Sequence, residues 1–239
     1  MSEVTRRGLI AGGVLGGAAL AAGGYALGNE ADEPAHARSV PFYGEHQAGI
    51  ATEAQDRLHF AAFDLTLDSA SELRDLLADW TRAAARMAAG EVAGTPNAAQ
   101  FSPPADTGEA LGLPASRLTV TIGLGPSVFE RRGEDRFGLR RRMPRALRPL
   151  PPLPGDELEA DRSGGDLCVQ ACADDPQVAF HAVRNLARLG RGAAVMRWSQ
   201  LGFGRTSTTS RSQATPRNLM GLKDGTNNLR AEDTEALDR

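Results

Sequence analysis

Asp56-Arg57-Leu58-His59-Phe60-Ala61-Ala62-Phe63-Asp64-Leu65-Thr66-Leu67, with Ser69-Ala70-Ser71-Glu72 close behind, is the stretch on which the fold turns. The first twelve residues are rich in apolar and aromatic side chains and predict a strand. Ser69 to Glu72 is a capping box, in which Ser and Glu satisfy backbone donors at a helix start. Leu73, Leu76, Leu77, Trp80, Ala84 and Met87 then recur at helical spacing, and Gly90 supplies the stop.

Downstream, residues 91–116 are rich in Pro, Ala, Gly and Thr and read as a loop. Arg117 to Leu124 alternates, with Leu118, Val120, Ile122 and Leu124 on one face and Thr119, Thr121 and Gly123 on the other. That is the pattern of a half-buried strand. Charge blocks follow. Arg131 to Arg148 holds eight arginines against two acids, and Asp156 to Asp166 holds five acids against one arginine, with Pro149 to Pro154 between them. Such blocks read as a long solvated excursion or as an arginine-lined patch for an anionic ligand. Leu167 to Cys172 is a short strand. Asp175-Pro176 provides an N-cap and a proline at the first helical position. Val178, Val183, Leu186 and Ala187 line a helix ending at Gly190, and Ala193 to Phe203 is a fourth strand. The order β-α-β-β-α-β predicts an α+β, ferredoxin-like antiparallel sheet with helices on one face and an insertion at about 125–165.

Upstream, residues 1–37 are a different material. Arg6-Arg7 precedes Leu9 to Leu27, an uncharged run of mostly Gly, Ala, Leu and Val, and Ala35-His36-Ala37 fits a small-x-small cleavage pattern. This predicts a twin-arginine signal peptide at 1–37 and delivery to the periplasm, cell envelope or outside. A membrane anchor is the alternative, weakened by the many glycines and alanines. Gly12-Gly13-Val14-Leu15-Gly16-Gly17 has no strand before it and is not a dinucleotide loop.

Composition narrows the function. The 239 residues are 41% hydrophobic and 24% charged, as in an ordinary globular protein, and the net charge of −3 gives no electrostatic case for nucleic acid. Lys223 is the sole lysine, so arginine supplies nearly all the positive charge. Two cysteines exclude a disulfide framework and a four-cysteine zinc site. Cys168 and Cys172, four apart in a strand, lie roughly 13 Å apart, too far to pair with each other. They read as free and buried. His36, His46, His59 and His181 show no metal-ligand spacing, so no metal site is expected from the protein alone. His59 reads as a structural histidine within a strand, and His181 as a helix residue whose ring can be solvated. No P-loop or G-x-S-x-G elbow is present.

The richest stretch runs Gln213-Ala214-Thr215-Pro216-Arg217-Asn218-Leu219-Met220-Gly221-Leu222-Lys223-Asp224-Gly225-Thr226-Asn227-Asn228. By residue type it is a turn, or else an acid displayed on a tight loop whose glycines let a ligand approach. Gly221-Leu222-Lys223-Asp224-Gly225 resembles the G-x-x-D-G motif of the dye-decolourising peroxidases. Its flanks, the loop Val40 to Ile50 and the twin-arginine leader resemble the exported deferrochelatase/peroxidase branch of that family.

The resemblance implies a haem b peroxidase built from two ferredoxin-like halves, in the manner of a dimeric α+β barrel. Asp224 would be the distal acid–base residue, with Gly221, Gly225, Thr226 and Asn227 binding the haem cofactor. Implied partners are hydrogen peroxide and a reducing substrate, the twin-arginine translocation machinery, iron-uptake proteins and, in the complete protein, a second copy. Iron release from haem is a further implied activity. In this family the axial histidine follows the motif, whereas here Arg239 comes fifteen residues after Asp224 with no histidine between. The expected organisation is therefore a signal at 1–37, an N-terminal loop at 38–55 and a ferredoxin-like domain at 56–220. Residues 221–239 would hold the motif and the start of a second half, the whole being a truncated and inactive N-terminal half. The alternative is an exported domain that binds haem, iron or a partner without turnover.

Overall fold

The computed structural model describes residues 38–95, 104–148, 150–203, 211–212, 214–218, 220–223 and 225–238. The expected signal peptide at 1–37 and Asp224 lie outside these. Strands β1 (Arg57–Leu65), β2 (Thr119–Leu124), β3 (Leu167–Ala173) and β4 (Ala194–Phe203) form one sheet in the order β2-β3-β1-β4. Every neighbouring pair is antiparallel. Helix α1 (Ala70–Ala88) connects β1 to β2, and α3 (Pro176–Leu189) connects β3 to β4. Two single-turn helices, α2 (Pro126–Phe129) and α4 (Thr234–Leu237), lie in the insertion and after the motif. This is the ferredoxin-like order.

Local chemistry sets both long helices. The Ser69 Oγ accepts from the Glu72 N–H at 3.3 Å and donates to the Glu72 carboxylate at 2.7 Å. Asp175 accepts from the Gln177 and Val178 N–H groups at 2.7 and 3.2 Å, behind Pro176. Alternation along the strands then sorts the side chains. Ala61, Phe63 and Leu65 of β1 and Leu167, Val169 and Ala171 of β3 are buried in the core with Trp80 of α1 and Val183 and Leu186 of α3. Trp80 meets Phe63 edge-on at 5.1 Å. Each buried Val, Leu or Phe side chain contributes about 1.5–3 kcal/mol through burial.

Two expectations need correction. The insertion is solvated only in part, because Val128, Phe129 and Phe137 are buried in the core. Asp166, just before β3, is 2% exposed and binds the insertion to β1. It accepts from the Leu65 N–H at 2.8 Å and from Arg136 Nη2 at 3.2 Å. Arg136 also reaches the Leu65 and Leu67 carbonyls at 3.4 and 3.5 Å. Removing any one of these partners would leave a polar group unpaired in the core.

The second correction concerns the polar face of β2. Thr119 is buried rather than solvated. Gln55 Nε2 donates to Thr119 Oγ1 at 3.0 Å and to the Arg117 carbonyl at 2.9 Å. Gly49, at φ +99°, sits so close that a Cβ there would lie 3.0 Å from Thr121 Oγ1. The loop at 38–55 thus covers one face of the edge strand.

Candidate active site

Around the motif the backbone doubles back on itself. Arg217 and Lys223 face each other as an antiparallel bridge. Between them Asn218 Oδ1 accepts from the Met220 and Leu222 N–H groups, both at 3.1 Å, and the Asn218 N–H donates to the Leu222 carbonyl at 2.9 Å. Arg217 Nη1 holds the Gly221 carbonyl at 2.7 Å. Gly221 has φ +79° with nothing within 4 Å of a Cβ position, so backbone conformation alone asks for glycine there. Gly225, at φ +71°, is buried, and its carbonyl accepts from Arg230 Nη2 at 2.8 Å. Lys223, Thr226 and Asn227 are exposed. The described residues of the motif thus form a turn with left-handed glycines at positions 221 and 225.

The other singled-out segment, Val40 to Ile50, straddles the edge of the sheet. Gly49 lies against the Thr119 and Thr121 face. On the opposite face Phe42, Tyr43, Gly44 and Gln47 join Leu77 and Thr81 of α1 and Val120, Ile122 and Leu124 of β2 around a cavity of about 460 Å³. Phe42 and Tyr43 pack edge to face at 4.9 Å. His46 Nε2 lies 3.5 Å from Asp238 Oδ1, just past α4, so this loop touches the segment after the motif. The loop was legible in the sequence. Its partners Leu77 and Thr81 were not, because they occupy the flank of an amphipathic helix like any other boundary residues.

The histidines and cysteines have other surroundings. His181 is 5% exposed rather than solvated, which corrects the expectation from its helix position. Its Nε2 lies 2.8 Å from Asp106 Oδ1. Asp106 also accepts from the Ala93 N–H at 2.7 Å and the Gly108 N–H at 2.6 Å. Burial pushes this carboxyl up, but the hydrogen bonds from Ala93, His181 and Gly108 and the His181 charge outweigh it and hold the pKa below the ordinary Asp value. Asn185 extends the cluster by accepting from the Thr107 N–H at 3.2 Å and donating to its hydroxyl at 2.7 Å. The sequence carried no sign of this cluster, since Asp106 and His181 lie 75 positions apart in unrelated contexts.

His59 is buried and stacked on Phe180 at 5.6 Å, and burial lowers its pKa. Cys168 and Cys172 are free, half-buried rather than buried, and burial raises both thiols. Among the described residues no group of three or more His, Cys, Asp or Glu side chains could hold a metal ion.

These surroundings bear on haem. The two left-handed glycines suit close approach of a flat group, but His181 is engaged by Asp106, His59 is stacked within the helix layer and His46 sits beside Asp238. The described histidines do not fit the role of an axial ligand, and no step at iron is assigned to this chain.

The profile of the Dyp-type peroxidase N-terminal family matches residues 47–204. The deferrochelatase of Escherichia coli strain K12 is 35% identical over 202 residues, covering 83% of this chain and 46% of that protein. The chain spans about half the length of the curated relatives it matches. Among solved structures, the DyP-type peroxidase of Streptomyces coelicolor superposes with a TM-score of 0.70 at 40% identity, over 84% of this chain and 51% of that one. Ferric DtpA of Streptomyces lividans gives 0.69 at 40% identity, over 84% and 50%. The family profile covers the sheet, both long helices and the insertion that binds to β1, and on that match this chain belongs to the Dyp-type peroxidases.

Proposed function

We propose that the chain is the motif-bearing half of a haem b peroxidase that reduces hydrogen peroxide while oxidising a donor. The observation that carries this reading is the family match across 47–204, joined by sequence to the G-x-x-D-G turn. Gly221, Gly225, Thr226 and Asn227 would lie against the haem through their backbone, and the axial ligand would come from outside these 239 residues. Haem, when bound, supplies the iron at which peroxide is taken up. Asp224 would serve as the acid–base residue there, its carboxylate able to hold a proton and give it back. The twin-arginine pattern at Arg6-Arg7 supports export to the cell envelope, and iron release from haem would be a second activity of the exported protein. Homo-oligomerisation and iron-uptake partners belong to the same reading.

In haem-loaded protein carrying both halves, Asp224→Asn slows peroxide reduction about 10²–10⁴-fold with haem content unchanged. A rate within a few-fold of the parent assigns the proton transfer to another group. The second reading is an exported domain that binds haem, iron or a partner without turnover. A haem titration of the 239-residue chain separates the two. A weak complex without histidine ligation supports the half-enzyme, and a tight stoichiometric complex supports the binding domain.

A further inference from the structure

On the helix side of the sheet, α3 and the outer strand β4 leave a cleft of about 330 Å³ between them. Its walls include His59, Phe180, Met196, Ser199 and Leu201. That volume lies at the small end of the range for small-molecule sites, and its lining of apolar side chains with a few polar groups is the usual composition. Phe180, Met196 and Leu201 are exposed, so apolar surface here faces water.

One polar group in the wall has no account in the fold. His59 is 5% exposed, yet its Nδ1 is closed to solvent and has no hydrogen-bond partner. No described residue hydrogen-bonds Nε2 either. Its ring is nearly parallel to Phe180, at 10°. Burial disfavours the charged imidazolium, so the ring is neutral and carries one N–H. An orphaned buried donor is rarer than an under-used acceptor. The proton therefore belongs on Nε2, the ring nitrogen that is not sealed from solvent, with the idle lone pair on the sealed Nδ1. At the rim, the Arg184 guanidinium is matched by Glu109 at 2.7 Å, so the cleft makes no demand for a charged ligand.

We propose that this cleft binds a small uncharged aromatic molecule bearing an acceptor oxygen, such as an aryl ketone or quinone. Its ring lies against Phe180, Met196 and Leu201, and its oxygen accepts from His59 Nε2–H. The site is independent of haem and of the peroxidase reading, so its test needs neither.

The test uses the full 239-residue chain without haem and two probes of like shape, acetophenone and ethylbenzene. Acetophenone should shift the His59 imidazole nitrogen resonances saturably and bind more tightly than ethylbenzene, which lacks the oxygen. His59→Phe keeps a ring against Phe180 and should weaken acetophenone about 3- to 10-fold, the worth of one hydrogen bond, while leaving ethylbenzene unchanged. Leu201→Arg, at an exposed position, should abolish binding of both. Equal affinity for the two probes in the parent chain overturns the assignment, as does the absence of any saturable shift at His59. The first two comparisons decide the matter even if His59→Phe does not fold.

Discussion

Replacing Asp106 with Asn changes one atom in the cluster that holds residues 104–115 against α3. The carboxylate accepts three hydrogen bonds, from the Ala93 N–H at 2.7 Å, the Gly108 N–H at 2.6 Å and His181 Nε2 at 2.8 Å. An amide keeps one acceptor oxygen. Turned toward Gly108 and His181, it sets its own NH₂ against the Ala93 N–H. One charge-assisted bond is then lost outright, at about 1.5–3 kcal/mol, and the other two lose their charge, for a total of about 2–4 kcal/mol. With a urea slope of about 2–3 kcal/mol per molar, the unfolding midpoint should fall by about 0.7–2 M. The pH dependence has a definite sign. The native carboxyl titrates below the ordinary Asp value, so its stabilisation is complete above about pH 3.9 and is lost as pH falls through the lower native value. The gap between parent and Asp106→Asn should therefore close on acidification below about pH 4. Urea melts at several pH values measure it. A gap under about 0.3 M at neutral pH, or one that widens in acid, refutes the reasoning.

Trp80→Ala should cost about 3–5 kcal/mol in a urea melt, because the ring is fully buried against Phe63. Trp80→Phe should cost much less, since the indole N–H has no partner to lose. Asp166→Asn leaves Arg136 half-buried beside a neutral group, and the expected loss is about 3–5 kcal/mol. Limited trypsin digestion should then show new cleavage after Arg136. Export is checked by changing Arg6 and Arg7 to Lys and fractionating cells. Mature protein should disappear from the envelope, and unchanged delivery would sink the twin-arginine reading.

The elements legible in the sequence were those fixed by near neighbours. Ser69 with Glu72, and Asp175 with Pro176, set helix starts within four residues, so both helices could be placed before any tertiary contact was known. Alternation in Val120, Thr121 and Ile122 likewise gave a strand, because a period of two needs no partner to be seen. What failed depended on distant residues. Thr119 looks solvent-facing until Gln55, 64 positions earlier, is laid over it. His181 looks free until Asp106 arrives from a loop of small residues. Of the site, the motif glycines and the Val40–Ile50 loop were readable as local backbone chemistry. The meeting of His46 with Asp238 was not, because no local pattern encodes a contact across the whole chain.

Strand order also sets a timetable. β1 is made first, yet it lies in the interior of the sheet between β3 and β4. Arg57 pairs with Ala173 on one side and with Phe203 on the other. At about 5–20 residues per second, synthesis takes roughly 7–30 s to run from β1 to the end of β4. Until β3 is made, an apolar strand waits with both of its hydrogen-bonding edges open, and its β4 edge stays open to the end, the condition under which strands pair with the wrong chain. Yield of soluble protein should therefore depend on translation speed and on chaperone supply more than native stability alone would indicate, and changes in β1 should alter yield out of proportion to their effect on the finished sheet.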